Sequence, residues 1–264
     1  MGQGGRYELK YVVEEPKAAA IREFVRGYLQ PSIYNRAGRV AGEPVISLYM
    51  DSADLALYRQ GAAGLKNRIK LRIRYYDDDW DHPAFFEVKR RVNDVIIKQR
   101  AMVRREAVRQ MLAGGSPGPG YWPDGAHLLN GKDQRDGQKS FCHLCSTLYA
   151  RGIIYVSYLR EAWESPGGLV RVTFDRQIRG SVYDGAERLA MPTRGSRPDL
   201  PDFPAQGVVV ELKFTSGCPA WLSQMVQQFD LYRRSVSKYC ACIEGMGLQP
   251  GLRTSRRPQE EISL

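Results

Sequence analysis

Lys66-Asn67-Arg68-Ile69-Lys70-Leu71-Arg72-Ile73-Arg74-Tyr75-Tyr76 is the stretch whose reading decides the fold. Every even position from 66 to 74 is basic. Positions 65, 69, 71 and 73 are Leu, Ile, Leu and Ile, with Asn67 the one exception. Alternation of period two marks a β-strand with two unlike faces. One face is a row of cations about 7 Å apart, twice the strand rise. The other is aliphatic and has to find cover. For an isolated strand the ordinary reading is a half-buried one whose charges face water. The rest of the chain changes that reading.

The same alternation recurs on both sides of this stretch. Glu8 and Lys10 share a face of a strand expected over Arg6–Val13. A hairpin is expected from Ala84–Arg91 and Val95–Val103 around Asn93-Asp94, a favourable turn pair. Its first strand places Glu87, Lys89 and Arg91 together. Its second places Lys98 and Arg100 together, with Ile96 and Met102 on that face. Tyr158 and Arg160 share a face of a long strand, Ile153–Glu164, and Pro166-Gly167-Gly168 turns the chain. Arg171, Thr173 and Asp175 share a face of the returning strand. Glu211 and Lys213 alternate with Val208, Val210, Leu212 and Phe214. A further strand is expected over Pro44–Asp51.

The charged faces together carry Lys10, Arg68, Lys70, Arg72, Arg74, Lys89, Lys98, Arg100, Arg160, Arg171 and Lys213, against Glu8, Glu87, Asp175 and Glu211. Pointing outward, they leave a plain sandwich core. Pointing inward, they make a wet cationic lumen, with aliphatic outer faces that need cover. Amphipathic helices expected over Pro16–Leu29, Arg104–Leu112, Gln138–Arg151 and Pro219–Tyr232, and a short one at Ser237–Glu244, supply that cover. The expected class is therefore α+β: a closed antiparallel β-barrel tunnel with helices packed on its outside.

Buried unpaired charge costs several kcal/mol, so such a lumen calls for water, counter-ions or a bound polyanion. Arg grips phosphate oxygens with a planar fork, and Lys acts as a point charge. A minority of carboxylates among phosphate-binding cations suits a divalent metal that bridges phosphate oxygens. A groove for single-stranded nucleic acid wants aromatics between the cations, and these faces carry few, so no nucleic-acid partner is expected.

Composition agrees. The chain has 264 residues, 43% of them hydrophobic, a net charge of +10 and a pI near 9.4, which favours polyanionic partners. There is no signal-peptide pattern and no apolar run long enough for a membrane helix. Five cysteines, an odd number, point to free thiols in a reducing, cytoplasmic setting. Cys142-His143-Leu144-Cys145 has zinc-like spacing, but zinc needs a second pair, and Cys240 and Cys242 supply it only if the fold brings them near. Buried helical thiols are the ordinary alternative. Asp77, Asp78, Asp79 and Asp81 read as a solvated loop between strands. One domain is expected over residues 1–250, followed by a polar tail at 251–264.

Arg6-Tyr7-Glu8-Leu9-Lys10-Tyr11, Arg72-x-Arg74-Tyr75-Tyr76, Phe86-Glu87-Val88-Lys89, Lys98-x-Arg100, Tyr158-x-Arg160 with Arg171, Glu211-Leu212-Lys213 and Ser237-Lys238-Tyr239 occur in that order. The set resembles the VTC domain, the polyphosphate polymerase branch of the triphosphate tunnel metalloenzymes. The resemblance implies a tunnel of about eight antiparallel strands. It implies ATP bound through its phosphates, and transfer of the terminal phosphoryl group to inorganic polyphosphate with Mn²⁺ or Mg²⁺. By position, Lys10, Arg72, Arg74, Lys89, Lys98, Arg160, Arg171 and Lys238 would clamp phosphates, and Glu211 would hold the metal. Tyr158 and Ser237 would add hydrogen bonds. Glu8, Arg68, Lys70, Glu87, Arg100 and Lys213 share those faces and are further substrate-binding candidates. His82, His127 and His143 lie outside the matched strands.

Related tunnels that hydrolyse triphosphates begin with two alternating glutamates before the lysine. Here position 6 is Arg, which favours the polymerase branch over simple hydrolysis. A triphosphate or polyphosphate hydrolase on the same tunnel, and a non-catalytic polyphosphate-binding module, are the alternatives. Eukaryotic VTC subunits also carry a phosphate-sensing SPX domain and membrane helices, and the sequence shows neither. Export coupled to synthesis would therefore need a membrane-protein partner.

Overall fold

The computed structural model describes residues 6–33, 35, 42–93, 95–113, 135–186, 189, 207–215 and 217–249. His127, Asp94 and the 251–264 tail lie outside the described residues. The elements, in chain order, are β1 (Arg6–Val13), α1 (Glu15–Arg26), β2 (Gln30–Pro31), β3 (Glu43–Asp51), α2 (Ala56–Ala62), β4 (Arg68–Tyr75), β5 (Ala84–Val92), β6 (Val95–Val103), α3 (Arg105–Leu112), α4 (Arg135–Thr147), β7 (Arg151–Glu164), β8 (Val170–Val182), β9 (Val208–Thr215), α5 (Ala220–Gln228) and α6 (Lys238–Gly245). The strands form one antiparallel sheet in the order β1-β9-β8-β7-β3-β4-β5-β6, with the short β2 on β7. This is an α+β fold.

Period-two patterning decides which face is which. On β4, Leu71, Ile73 and Tyr75 are fully buried on the outer side, where Val108 and Met111 of α3 and Phe141, Cys142 and Cys145 of α4 cover them. Phe86 of β5 stacks on Phe141 with ring centroids 4.5 Å apart. Gly137 lets α4 approach, since a Cβ there would lie 2.9 Å from the Arg100 backbone of β6. At the other end of the sheet, Val210, Leu212 and Phe174 pack against Ile21 and Val25 of α1 and Leu222 and Met225 of α5. Each large side chain so buried contributes about 1.5–3 kcal/mol. The helical cover expected from the sequence is present. The thiols of Cys142 and Cys145 are buried in it, and neither is in a disulfide.

The sheet is not a closed barrel. Its hydrogen-bonded ladder ends at β1 and β6, and the result is a curled, eight-strand half-barrel. The outer edge of β1 meets the 232–236 segment instead of β6: the Arg234 N–H donates to the Lys10 carbonyl at 2.9 Å. That segment exists because α5 stops at Gln228 rather than at Tyr232, and Asp230 turns the chain at φ +48°. Curling still brings the ends of the sheet together. Lys89 of β5 reaches Glu8 of β1 at 2.9 Å, across strands that share no ladder.

Other boundaries also differ from expectation. α1 ends at Arg26 and α4 at Thr147, short of Leu29 and Arg151. β8 runs on to Val182, well beyond Asp175. A register shift between Ser157 and Leu159, with Gln177 at φ +50°, breaks the alternation there. Arg176, on the same outer side as Phe174, pairs with Glu15 and Glu161 near α1 at 2.8 and 3.0 Å, and past the break Ile178 turns onto the inner face and packs with α6.

The inner face is not wet throughout. Val45, Val156, Tyr158, Ile178 and Val209 pack on Tyr239, Cys242 and Ile243 of α6. This helix is tied in place by the Tyr239 hydroxyl, which donates to buried Asp51 at 2.7 Å. Tyr239 also stacks on Tyr49 at 4.7 Å. Cys240 and Cys242 belong to this inner cluster and Cys142 and Cys145 to the outer one, so the two pairs do not meet in a zinc site. No helix among the described residues is long and apolar enough to cross a membrane.

Candidate functional site

The inner cations gather around carboxylates in two groups. The first is centred on Glu87, which is 1% exposed. Arg72 reaches it at 2.6 Å, Lys98 at 2.8 Å, Arg100 at 3.4 Å and Arg74 at 3.7 Å. Burial works to raise the Glu87 pKa, but Arg72, Arg74 and Lys98 outweigh it and hold the carboxyl far below the usual range. Arg72 also donates to the Tyr49 hydroxyl at 3.1 Å, and Arg74 to Ser47 and the Tyr158 hydroxyl, each at 3.2 Å.

The second group joins Glu8, Asp175 and Glu211. Lys213 meets Glu211 at 2.7 Å, Lys238 at 2.9 Å, and Lys10 and Arg160 at 3.5 Å. Lys238 also bonds Asp175 at 2.6 Å, and Lys10 bonds Glu8 at 3.1 Å. Burial opposes ionisation of Glu211, yet Lys213, Lys238, Lys10 and Arg160 hold its pKa well below normal. Lys238 sits on the first turn of α6, whose N-cap is Ser237, with its hydroxyl accepting from the Cys240 N–H.

Of the sequence candidates, Glu8, Lys10, Lys70, Arg72, Arg74, Glu87, Lys89, Tyr158, Arg160, Glu211, Lys213, Ser237 and Lys238 line this inner face. Lys98 and Arg100 stand nearer solvent, with side chains 44% and 37% exposed; Arg100 lies over the Phe85 ring at 3.6 Å. Arg68 lies at one rim, donating to the Leu65 carbonyl. Arg171 lies at another, 3.9 Å from Glu164. Asp175, counted in the sequence among the minority acids of the charged faces, joins the site, and Tyr49 and Ser47 are site residues to which sequence reasoning gave no role. Their signal was the alternation Val45-Ser47-Tyr49, which the register places opposite Arg74 and Arg72.

Lys70 differs from the other inner lysines. Its Nζ donates to the Ser237 hydroxyl at 2.9 Å, and among the described residues no carboxylate forms an ion pair with it. Burial, with Lys10, Lys89 and Arg72 around it and only Ser237 and the Cys240 thiol on the α6 side, lowers its pKa to about 7. The unfolded chain keeps this proton up to about 10.5, so in that window the unfolded state binds more protons. Lys70 thus destabilises the empty protein less as pH rises from 7. A polyanion beside it restores the proton. Tripolyphosphate binding at pH 8 is expected to take up protons, and affinity to fall by up to tenfold per pH unit above about 7. Titration calorimetry in buffers of different ionisation enthalpy checks this, and Lys70→Met should remove the uptake.

The donor chemistry here fits a divalent ion in one way only. Among the described residues no group of three or more His, Cys, Asp or Glu could hold a metal ion. Glu211 is a hard oxygen donor already neutralised by four cations. Such a carboxylate suits an ion that arrives with phosphate oxygens and takes one or two ligands from protein. The acidic loop is separate: Asp77 accepts from the exposed His82 and from the buried Arg105. A cavity of about 300 Å³ beside Arg22, Arg26 and Trp163 is also separate. Its two arginines are matched by Glu23, Glu43 and Glu161.

A solved structure shares the fold. A candidate adenylate cyclase from Bacillus halodurans superposes with a TM-score of 0.50 at 14% identity, covering 90% of this chain and 96% of that one. A second, from Vibrio parahaemolyticus, gives a TM-score of 0.43 at 14% identity, over 91% and 99%. No curated protein matches. The family model of the VTC domain matches residues 5–246. That span takes in every strand and helix described above, and the chain belongs to the VTC domain family.

Proposed function

We propose that the protein is a metal-dependent polyphosphate polymerase that transfers the γ-phosphoryl group of ATP to a growing polyphosphate chain. The observation that carries this reading is the surplus of inward-facing cations over Glu8, Glu87, Asp175 and Glu211 in a chain of the VTC family. Phosphoryl transfer depends mainly on positioning and charge neutralisation, which this arrangement supplies without a Ser–His pair.

In this reading Lys10, Lys89, Arg72 and Arg74 take the phosphate oxygens of donor and acceptor. Arg160 and Lys238, with Arg171 at the rim and Lys98 at the more open side, extend the row along which a linear polyanion lies. Tyr158 and Ser237 donate hydrogen bonds that fix the phosphates against rotation. As phosphates draw the lysines away from Glu8 and Glu211, these carboxylates lose their internal partners. Glu211 would then hold Mn²⁺ or Mg²⁺, which when bound neutralises charge on the phosphates. ADP leaves as the new phosphoanhydride bond forms.

The test is to incubate the protein with ATP and Mn²⁺ and run the products on a polyphosphate gel. A ladder that disappears with EDTA is expected. Free phosphate without a ladder would make the protein a hydrolase of the same tunnel. Bound polyphosphate with no turnover would make it a binding module.

A further inference from the structure

Arg72 on β4 and Arg160 on β7 stand one strand away from β3 on either side. Each faces a buried carboxylate directly across the next ladder. Arg72 is in register with Glu87 on β5, and Arg160 with Asp175 on β8. Glu87 is 1% and Asp175 0% exposed. Both carboxylates take the same edge of the guanidinium. Arg72 presents Nε and Nη2 to one oxygen of Glu87, at 2.7 and 2.6 Å. Arg160 presents the same two nitrogens to the two oxygens of Asp175, at 2.6 and 2.7 Å. The half-barrel thus carries the same arginine–carboxylate rung twice, placed symmetrically about β3.

A guanidinium held along one edge cannot turn about its own axis, so its remaining edge has a set direction. Arg72 then places Nη1 at the Tyr49 hydroxyl. Arg160 lies over the Tyr158 ring at 5.2 Å, and the hydroxyl of that same tyrosine accepts from Arg74. Two inward arginines are therefore aimed before any ligand arrives. Neutralising charge alone would not require this. A carboxylate touching the cations anywhere would serve, as Glu211 does with Lys213 and Lys10.

We propose that Glu87 and Asp175 are paired positioning residues that orient Arg72 and Arg160 toward the phosphates of a linear polyanion, and that neither binds the ligand. The proposal rests on the phosphate-binding reading of the bore. It makes an unusual forecast for Asp175→Asn. This change removes one negative charge, so simple electrostatics strengthens anion binding. It also destroys the fork on Arg160, and an ångström of misplacement can cost about 10²-fold in rate. Charge and orientation therefore push in opposite directions.

The experiment measures binding of tripolyphosphate and of sulfate to the wild-type protein, Asp175→Asn and Asp175→Glu by calorimetry, with thermal melts and, in parallel, turnover of ATP. Sulfate reads charge, and tripolyphosphate reads charge and orientation together. Asp175→Asn is expected to bind sulfate as well as or better than the wild type. Its preference for tripolyphosphate over sulfate should fall about tenfold, and kcat by about 10²-fold. Asp175→Glu keeps the charge and lengthens the arm, and should lose preference and kcat without gaining sulfate affinity. Wild-type preference and kcat in either folded variant would overturn the proposal. Should Asp175→Asn fail to give a cooperative melt, Asp175→Glu and Glu87→Gln decide by the same comparison. Loss of binding to both anions by the folded variants would mean a general structural role and would also overturn it. A wild-type protein that binds no tripolyphosphate overturns the phosphate reading itself, and this inference with it.

Discussion

Arg72→Ala is expected to lower turnover by on the order of 10²–10³-fold, the usual effect of deleting one preorganised donor to developing charge. The fold should survive. Glu87 keeps Lys98 at 2.8 Å, Arg100 at 3.4 Å and Arg74 at 3.7 Å, so its buried carboxylate is not stranded. Lys89→Ala should behave alike, because Glu8 retains Lys10 at 3.1 Å. The measurement is steady-state formation of polyphosphate beside a circular-dichroism melt. Full activity in both folded variants would remove the phosphate clamp from the account.

Glu211→Ala is expected to act on stability as well as on activity. Breaking a buried pair by deleting one partner costs about 3–5 kcal/mol. The lower end applies here, since Lys238 and Arg160 keep Asp175 and Lys10 keeps Glu8. Lys213 is the group left exposed to the loss; burial already lowers its pKa to about 8, with Glu211 working to raise it. Urea unfolding should show the loss in the empty protein. Saturating tripolyphosphate should recover much of it, because ligand at 100 times its Kd adds about 2.7 kcal/mol. A variant equally destabilised with and without the anion would place the ligand away from Glu211.

How much of this was legible in the chain follows from how local each feature is. The two faces of β4 are a property of consecutive residues, so Leu71, Ile73 and Tyr75 were readable as the greasy side, and the cations at 70, 72 and 74 as the other. The helices were readable by their stripes, though their ends were not. Asp230 adopts φ +48° and ends α5 early, and no residue type demands that turn. The bulge at Ser157–Leu159 was likewise hidden, and with it the side of Ile178, which unbroken alternation from Asp175 would place outside with Phe174 and which instead faces inward.

The candidate site was legible as a list and not as an arrangement. Counting charges identified Glu87, Asp175 and Glu211 as minority acids. Only register shows that Glu87 and Asp175 each stand opposite one arginine while Glu211 is shared by four cations. Lys70 looked like its neighbours in sequence. Its isolation from carboxylates depends on the approach of Ser237, 167 residues later.

The amino-acid order by itself determined which side chains are paired on a face and that the charged faces carry too many cations to sit empty. Period-two geometry is local and charge is additive, so neither needs the folded chain. Whether the ribbon closes was decided only by tertiary structure. The edge of β1 satisfies its carbonyl at Lys10 with the N–H of Arg234 rather than with β6. That competition for a single hydrogen bond lies between segments too far apart in sequence for any pattern to record.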